Sequence, residues 1–375
     1  MENIYKKILA SILKNRLFYL LFVVAIYGVF YFPNQHDYFA YVKEWDKIIG
    51  GEKPYNAYGV VFHFFSFPNF VHPKLPKLIF VLSYFIAVHK IYLFSGGVKI
   101  INRILLLNPL FWIFGIVYGS NDTFVSSVTL LAVLSLINDN MKTSGFLFSL
   151  GINLKYTPLS ILPFLVLSRK RIKKEVLFSF LLVTIIFLCV GYYFWGTDLM
   201  HGFMFNINRD SSIFSIFRFI NGKYHPLQFV NIQSLDFLSV YLVVIVWGLG
   251  FLFYIKFNLD KYLMLLLSYS NILLLYKSGH HQFYILFFML TFLVYIIHKE
   301  KIKKNKILLN SFIFFWVWIL VFTIIYPLTN QYSGVYKIRE WLGFPTFLIH
   351  LFLNIQLIIY IIKERKYNLR ITTPF

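Results

Sequence analysis

The sequence predicts an all-α, polytopic membrane protein, and three observations carry that prediction. Of 375 residues, 59% are hydrophobic and only 14% charged, whereas soluble domains carry about 25% charged and about 45–50% apolar residues. Mean hydropathy is +0.68. Apolar runs recur from end to end, most of them long enough to cross a hydrocarbon layer about 30 Å thick.

Taken in order, the runs fall at 16–32, 75–95, 104–119, 121–138, 175–195, 237–256, 261–277, 281–298, 308–328 and 342–362. With the N-terminus placed inside and the chain alternating, the basic segments Arg169–Lys174, Lys299–Lys306 and Lys363–Arg370 all fall on the cytoplasmic side, as the bias of Lys and Arg requires. Most of the net charge of +21 is therefore topogenic, with an added attraction to anionic lipid headgroups. Nucleic acid is excluded as a partner. Lys6, Lys7, Lys14 and Arg16 precede a first run that lacks a small-residue cleavage site, so no cleaved signal peptide is expected. A single cysteine, Cys189, excludes an internal disulfide and a Cys-based metal cluster.

Segment 144–168 resists the alternation. It holds Lys155, Pro158 and Pro163 between two basic ends. Two half-helices entering and leaving on one side fit it better than one span, since irregular backbone at membrane depth is tolerated where it lines a cavity or is buried. The whole chain, 1–375, reads as a single integral membrane domain with both termini inside. Its outer face then carries long segments at 33–74, 196–236 and 329–341 and the short turns at 119–122 and 277–281, which places function outside.

In the first outer segment, Asp37, Tyr41, Trp45 and Ile48 are spaced 4, 4 and 3 and fall on one helical stripe. This describes an interfacial amphipathic helix with aromatic anchors, ended by Gly50-Gly51 and Pro54. Asp37 is either a functional acid or one favoured by its place at a helix N-terminus. Asp122, after Tyr118-Gly119-Ser120-Asn121, is either a second acid on the same face or an N-cap. Lys155, an ionisable group at membrane depth, points to a functional site, against a snorkelling side chain or a structural ion pair.

Arg209, Ser212 and Arg218 lie in a loop whose hydroxyls and guanidinium groups suit phosphate oxygens; a solvated loop reads equally well. Lys277, His280 and His281 cap a span on the outer side. Adjacent histidines face different ways on a helix, so a shared metal is disfavoured, leaving contact with a phosphate or sugar or simple interfacial anchoring.

In these stretches the chain resembles the GT-C superfamily of integral membrane glycosyltransferases, and most of all the polyprenyl-phosphate-mannose-dependent type, glycosyltransferase family 87 and its relatives. The resemblance rests on Asp37 with Tyr41 and Gly51-Glu52-Lys53-Pro54-Tyr55; on Asn108-Pro109 and Tyr118 through Asp122; on Gly145 through Lys155 to Pro158 and Pro163; and on Ser211 through Ser215 with His281-Gln282-Phe283-Tyr284. After Tyr55 the chain reads Asn56-Ala57-Tyr58-Gly59-Val60, where related enzymes often carry a Tyr-Pro-Pro-like element.

The resemblance implies a GT-C-type bundle of about 10–12 transmembrane or half-membrane helices. It also implies an inverting transfer of a monosaccharide, mannose or another hexose or pentose, from a polyprenyl-phosphate donor. The acceptor would be a glycan or glycolipid at the outer face of a microbial plasma (inner) membrane. Asp37 would act as general base, with Asp122 as a second acid that positions acceptor or donor. Lys155, Arg209, Lys277 and His281 would hold the donor phosphate. Tyr41, Tyr55, Ser212, His280 and Arg218 would contact substrate. No cofactor motif is present, and a divalent cation is left open. The competing classes are a lipid or glycan transporter or flippase, which usually shows paired broken helices, and a surface-polysaccharide polymerase, which usually carries its dominant outer loop late in the chain.

Overall fold

A computed structural model describes residues 16–53, 58–168, 171–200, 214–217, 238–277, 279–331 and 336–372. The chain is helical along nearly its whole described length. In order, the helices are α1 (Arg16–Tyr31), α2 (His36–Ile49), α3 (Val60–Phe64), α4 (Ser66–Val71), α5 (Leu75–Phe94) and α6 (Lys99–Leu106). A π-helical segment (Phe111–Val117) leads to α7 (Asp122–Ile137) and α8 (Met141–Leu154). A 3₁₀ turn (Thr157–Ile161) and α9 (Leu162–Val166) follow, then a two-stranded hairpin, β1 (Leu167–Ser168) with β2 (Arg171–Ile172). The rest comprises α10 (Lys174–Trp195), α11 (Leu238–Phe257), α12 (Lys261–Leu275), α13 (Tyr284–Ile297), α14 (Lys299–Lys304), α15 (Lys306–Gln331) and α16 (Tyr336–Thr372).

Each of the ten apolar runs coincides with a helix or a bent helix pair, but they are not equally long. Among the described residues, five helices are long and apolar enough to cross a membrane: α5, α10 with its 3₁₀ extension, α11, α15 and α16. α1, α7, α12 and α13 are shorter apolar helices. At 16 residues α7 spans about 24 Å. α7 and α13 are buried along most of their length, so neighbouring helices rather than lipid cover their ends. The run at 104–119 is not one span. It breaks at Asn108-Pro109, and α6 meets the π-helical segment at 49°. Proline removes a backbone donor, and the Asn108 side chain accepts from Leu110 N at 3.0 Å.

The bundle is built around α7, which packs against α5, α8 and α13, while α8 packs in turn against α10. α15 and α16 form a second pair, joined to this core through α12 and α13. Tyr84 of α5 stacks face to face on Phe111 with centroids 3.8 Å apart. α10 and α11 leave large apolar side chains bare, among them Phe178, Ile185, Val244 and Leu252, as helices facing lipid must. α12 starts where Asp260 accepts from the amides of Tyr262 and Leu263, an N-cap that satisfies two otherwise orphaned donors.

α2 corrects one expectation. Its aromatic stripe exists, but it faces protein rather than lipid. Tyr38 and Trp45 are fully buried and Tyr41 nearly so. The Trp45 indole donates to Phe62 O at 2.8 Å, and Asn69 of α4 donates to Asp46 at 2.8 Å. The short helices α3 and α4, packed under α2, supply an aromatic floor in which Phe62 and Phe65 meet Trp45. α2 therefore sits rigidly on the bundle, with Asp37 at its start.

Candidate active site

The site forms where the N-terminus of α2, the turn before α7, the break after α8 and the turn before α13 converge. Each position follows from local chemistry. Gly119 has φ +65°, the left-handed region open to glycine at little cost. A Cβ there would lie 2.7 Å from the Tyr38 ring, so the turn carrying Ser120 and Asp122 is pressed directly against α2. Gly59 performs the same service on the other side. Its amide donates to Leu154 O at 3.0 Å, and a Cβ would meet Asn153 O at 2.3 Å. That close approach leaves no room for a side chain at position 59.

α8 ends at Lys155, whose backbone is extended (φ −153°, ψ 130°). Pro158 follows in the 3₁₀ turn and Pro163 opens α9, and neither residue can continue a helix from its N-terminal side. The break projects the Lys155 side chain onto Asp122, with Nζ 2.7 Å from Oδ1 and 2.8 Å from Oδ2. Ser120 Oγ donates to Asp122 Oδ2 at 2.9 Å. The ammonium also lies 4.1 Å from the Phe283 ring centroid and 5.7 Å from that of Tyr58. The Asp122 side chain is 4% exposed and that of Lys155 13%, so this is a buried ion pair with aromatic walls. Asn121, not Asp122, occupies the N-cap position of α7, and its side chain makes no capping bond. The capping alternative for Asp122 thus gives way to a salt bridge.

Asp37 is exposed and lines a cavity of about 120 Å³ together with Phe114, Tyr118, Ser120, His280, Gln282 and Tyr326. Gln282 Nε2 donates to Asp37 Oδ2 at 3.1 Å, orienting the carboxylate. Ser120 belongs to both the cavity and the Asp122 network, so the two acids flank one residue. Tyr41 stands behind this wall. Its hydroxyl lies 3.0 Å from that of Tyr58, and burial, then the neighbouring Tyr58, Asp37 and Asp122, push its pKa well up. It remains a protonated phenol that supports the site rather than lining it.

The two histidines separate as adjacent positions should. His280 lines the cavity, whereas His281 is buried within a cage of Phe114, Phe214, Phe322 and Tyr326, its ring 4.4 to 5.6 Å from theirs. That enclosure makes His281, 2% exposed, part of the wall of the site. Lys277, two residues past the end of α12, is buried. Tyr55, Arg209, Ser212 and Arg218 lie outside the described residues. Among the described residues, no three His, Cys, Asp or Glu side chains are grouped so as to hold a metal ion.

Gln282, Tyr58, Phe283 and Tyr326 were not expected as site residues. Gln282 and Phe283 lie in the His281–Tyr284 stretch that carries the resemblance, but the pairing of Gln282 with Asp37 spans 245 positions and has no local pattern.

The model for glycosyltransferase family 87 matches residues 78–277, a stretch that runs from α5 through α12 and includes Asp122 and Lys155 but neither Asp37 nor Gln282. No curated protein and no solved structure matches the chain. The all-α, multi-pass architecture accords with a GT-C type membrane enzyme. The matched stretch covers more than half of the chain, and the protein belongs to glycosyltransferase family 87.

Proposed function

We propose that the enzyme transfers a monosaccharide, mannose or another hexose or pentose, from a polyprenyl-phosphate donor to a hydroxyl of a glycan or glycolipid, with inversion at the anomeric carbon. The observation that carries this reading is the Asp37 carboxylate. It lines a cavity, it is oriented by Gln282, and it adjoins an acid already neutralised by Lys155. Of the two acids, Asp37 is thus the one placed to accept a proton.

The acceptor hydroxyl attacks the anomeric carbon as Asp37 takes its proton. The new glycosidic C–O bond forms while the bond to the donor phosphate breaks, and the phosphate leaves with that electron pair on its lipid. Charge grows on the departing phosphate in the transition state, where fixed cations act most strongly. Lys155, with Asp122 as its counter-ion, is assigned to that end together with Arg209 and Lys277. His280 and Tyr118, on the cavity wall, are assigned to sugar hydroxyls. The reaction is assigned to the outer face of a plasma membrane, with both termini inside.

Incubating the purified protein with a panel of polyprenyl-phosphate sugars tests this directly. Transfer by the wild type should fall about 10²–10⁴-fold in Asp37→Asn, the usual contribution of a general base, with the fold intact. Wild-type rates in that variant, or turnover of nucleotide sugars alone, would falsify the assignment.

A further inference from the structure

At the far end of the bundle from Asp37 lies a groove of about 570 Å³ between α5, α7 and the start of α8, within the size range of small-molecule sites, about 300–1,000 Å³. Its place follows from the helices that build both ends. Lys77 of α5 donates to Val117 O beside the active-site turn, and Lys90, 13 residues on, lies about 20 Å further along the axis. On α7, Asp122 opens the helix at the active site and Asn138 closes it in the groove.

The groove has two chemistries. Ile86, Leu131 and Leu147 form apolar walls, while Lys90, Asn138, Asn140 and Thr143 gather at the polar end. Among the described residues, Lys90 makes no hydrogen bond or ion pair, although it belongs to a helix long and apolar enough to cross a membrane. Lys90 is exposed and lies four residues from the end of α5, where a long side chain can carry its ammonium toward the headgroup region. Asn140 uses its side-chain oxygen to cap α8, accepting from Thr143 N at 3.4 Å, which leaves its NH₂ as a donor. A cation with amide and hydroxyl donors above apolar walls complements a phosphate attached to an acyl chain.

We propose that this groove binds an anionic phospholipid of the leaflet opposite the Asp37 site, with its phosphate on Lys90, Asn138 and Asn140 and an acyl chain along Ile86, Leu131 and Leu147. The site is separate from the transfer chemistry and stands whether or not the proposed donor is correct. It anchors the turn between α7 and α8, the two helices that carry Asp122 and Lys155 at their other ends.

Native mass spectrometry of the full-length protein in mild detergent, titrated with phosphatidylglycerol or with phosphatidylcholine of the same chains, reads this site. Phosphatidylglycerol should bind more tightly than phosphatidylcholine. Lys90→Gln should weaken phosphatidylglycerol about fivefold, the effect of removing one cation near a membrane surface, and narrow its margin over phosphatidylcholine, whose choline cation offsets the phosphate charge. Leu131→Trp, which fills the apolar wall, should weaken both. Equal binding of the two lipids, or full phosphatidylglycerol affinity in Lys90→Gln, overturns the proposal. Displacement of the lipid by millimolar inorganic phosphate also overturns it, because the site would then hold a headgroup-sized anion alone.

Discussion

The Lys155 ammonium lies between the Asp122 carboxylate, 2.7 Å away, and the face of Phe283, 4.1 Å away. This joins three parts of the chain that the helices alone would keep apart: the start of α7, the break after α8 and the turn before α13. Removing one partner of such a buried pair leaves an uncompensated charge and costs about 3–5 kcal/mol. Lys155→Met and Asp122→Asn should each destabilise the protein by about that amount, and the double variant by much less than their sum. Additive losses in chemical denaturation would show that the two groups are uncoupled.

Gln282 holds one oxygen of Asp37 and leaves the other to the cavity. Hydrogen bonds to charged groups contribute about 1.5–3 kcal/mol, and the exposure of this pair favours the lower end. Gln282→Leu should therefore reduce kcat about tenfold, with KM for the donor little changed. An unchanged kcat would mean that Asp37 is oriented by other contacts.

Gly119 should not tolerate a side chain. The left-handed backbone costs an alanine about 1–2 kcal/mol, and overlap with the Tyr38 ring adds about 1–3 kcal/mol. Gly119→Ala should lower the thermal midpoint and slow transfer together, since the displaced turn carries Asp122. In a Tyr38→Ala background the overlap component should vanish. Normal stability and activity in the single variant would contradict the packing described.

His63 of α3 makes the protein acid-sensitive in a defined window. Burial pushes its imidazole down to about 4 from 6.5, and the ring packs against Trp195 at 5.0 Å. Above pH 6.5 the ring is neutral in both folded and unfolded chains, and stability is complete. As pH falls from 6.5 to about 4, the unfolded chain gains a proton that the folded one refuses, so stability falls by up to about 3 kcal/mol and then levels off. His63→Phe, which keeps the aromatic contact, should flatten this limb in thermal unfolding across that range. A limb of unchanged depth would assign the sensitivity elsewhere.

The helices were legible because each apolar run is both long and uniform, and burying backbone in lipid leaves helix as the solution. The break near Lys155 was legible as well, from its two prolines and its charge. The break at Asn108-Pro109 was not foreseen, because the flanking residues are apolar enough to read as one span. The α2 stripe was visible at a spacing of 4, 4 and 3, yet the spacing names a buried face without naming its partner. Trp45 meets Phe62 and Phe65, and a membrane surface would have produced the same pattern.

What the sequence determined by itself is the class of protein, the positions of its helices and the two acids worth attention, since composition, periodicity and backbone-breaking residues act over short stretches. Only the tertiary structure decided which acid remains available. Asp122 is neutralised by Lys155 from 33 positions away, and Asp37 is oriented by Gln282 from 245 positions away. Such pairs depend on where rigid helices place their ends, so no local signal in the chain records them.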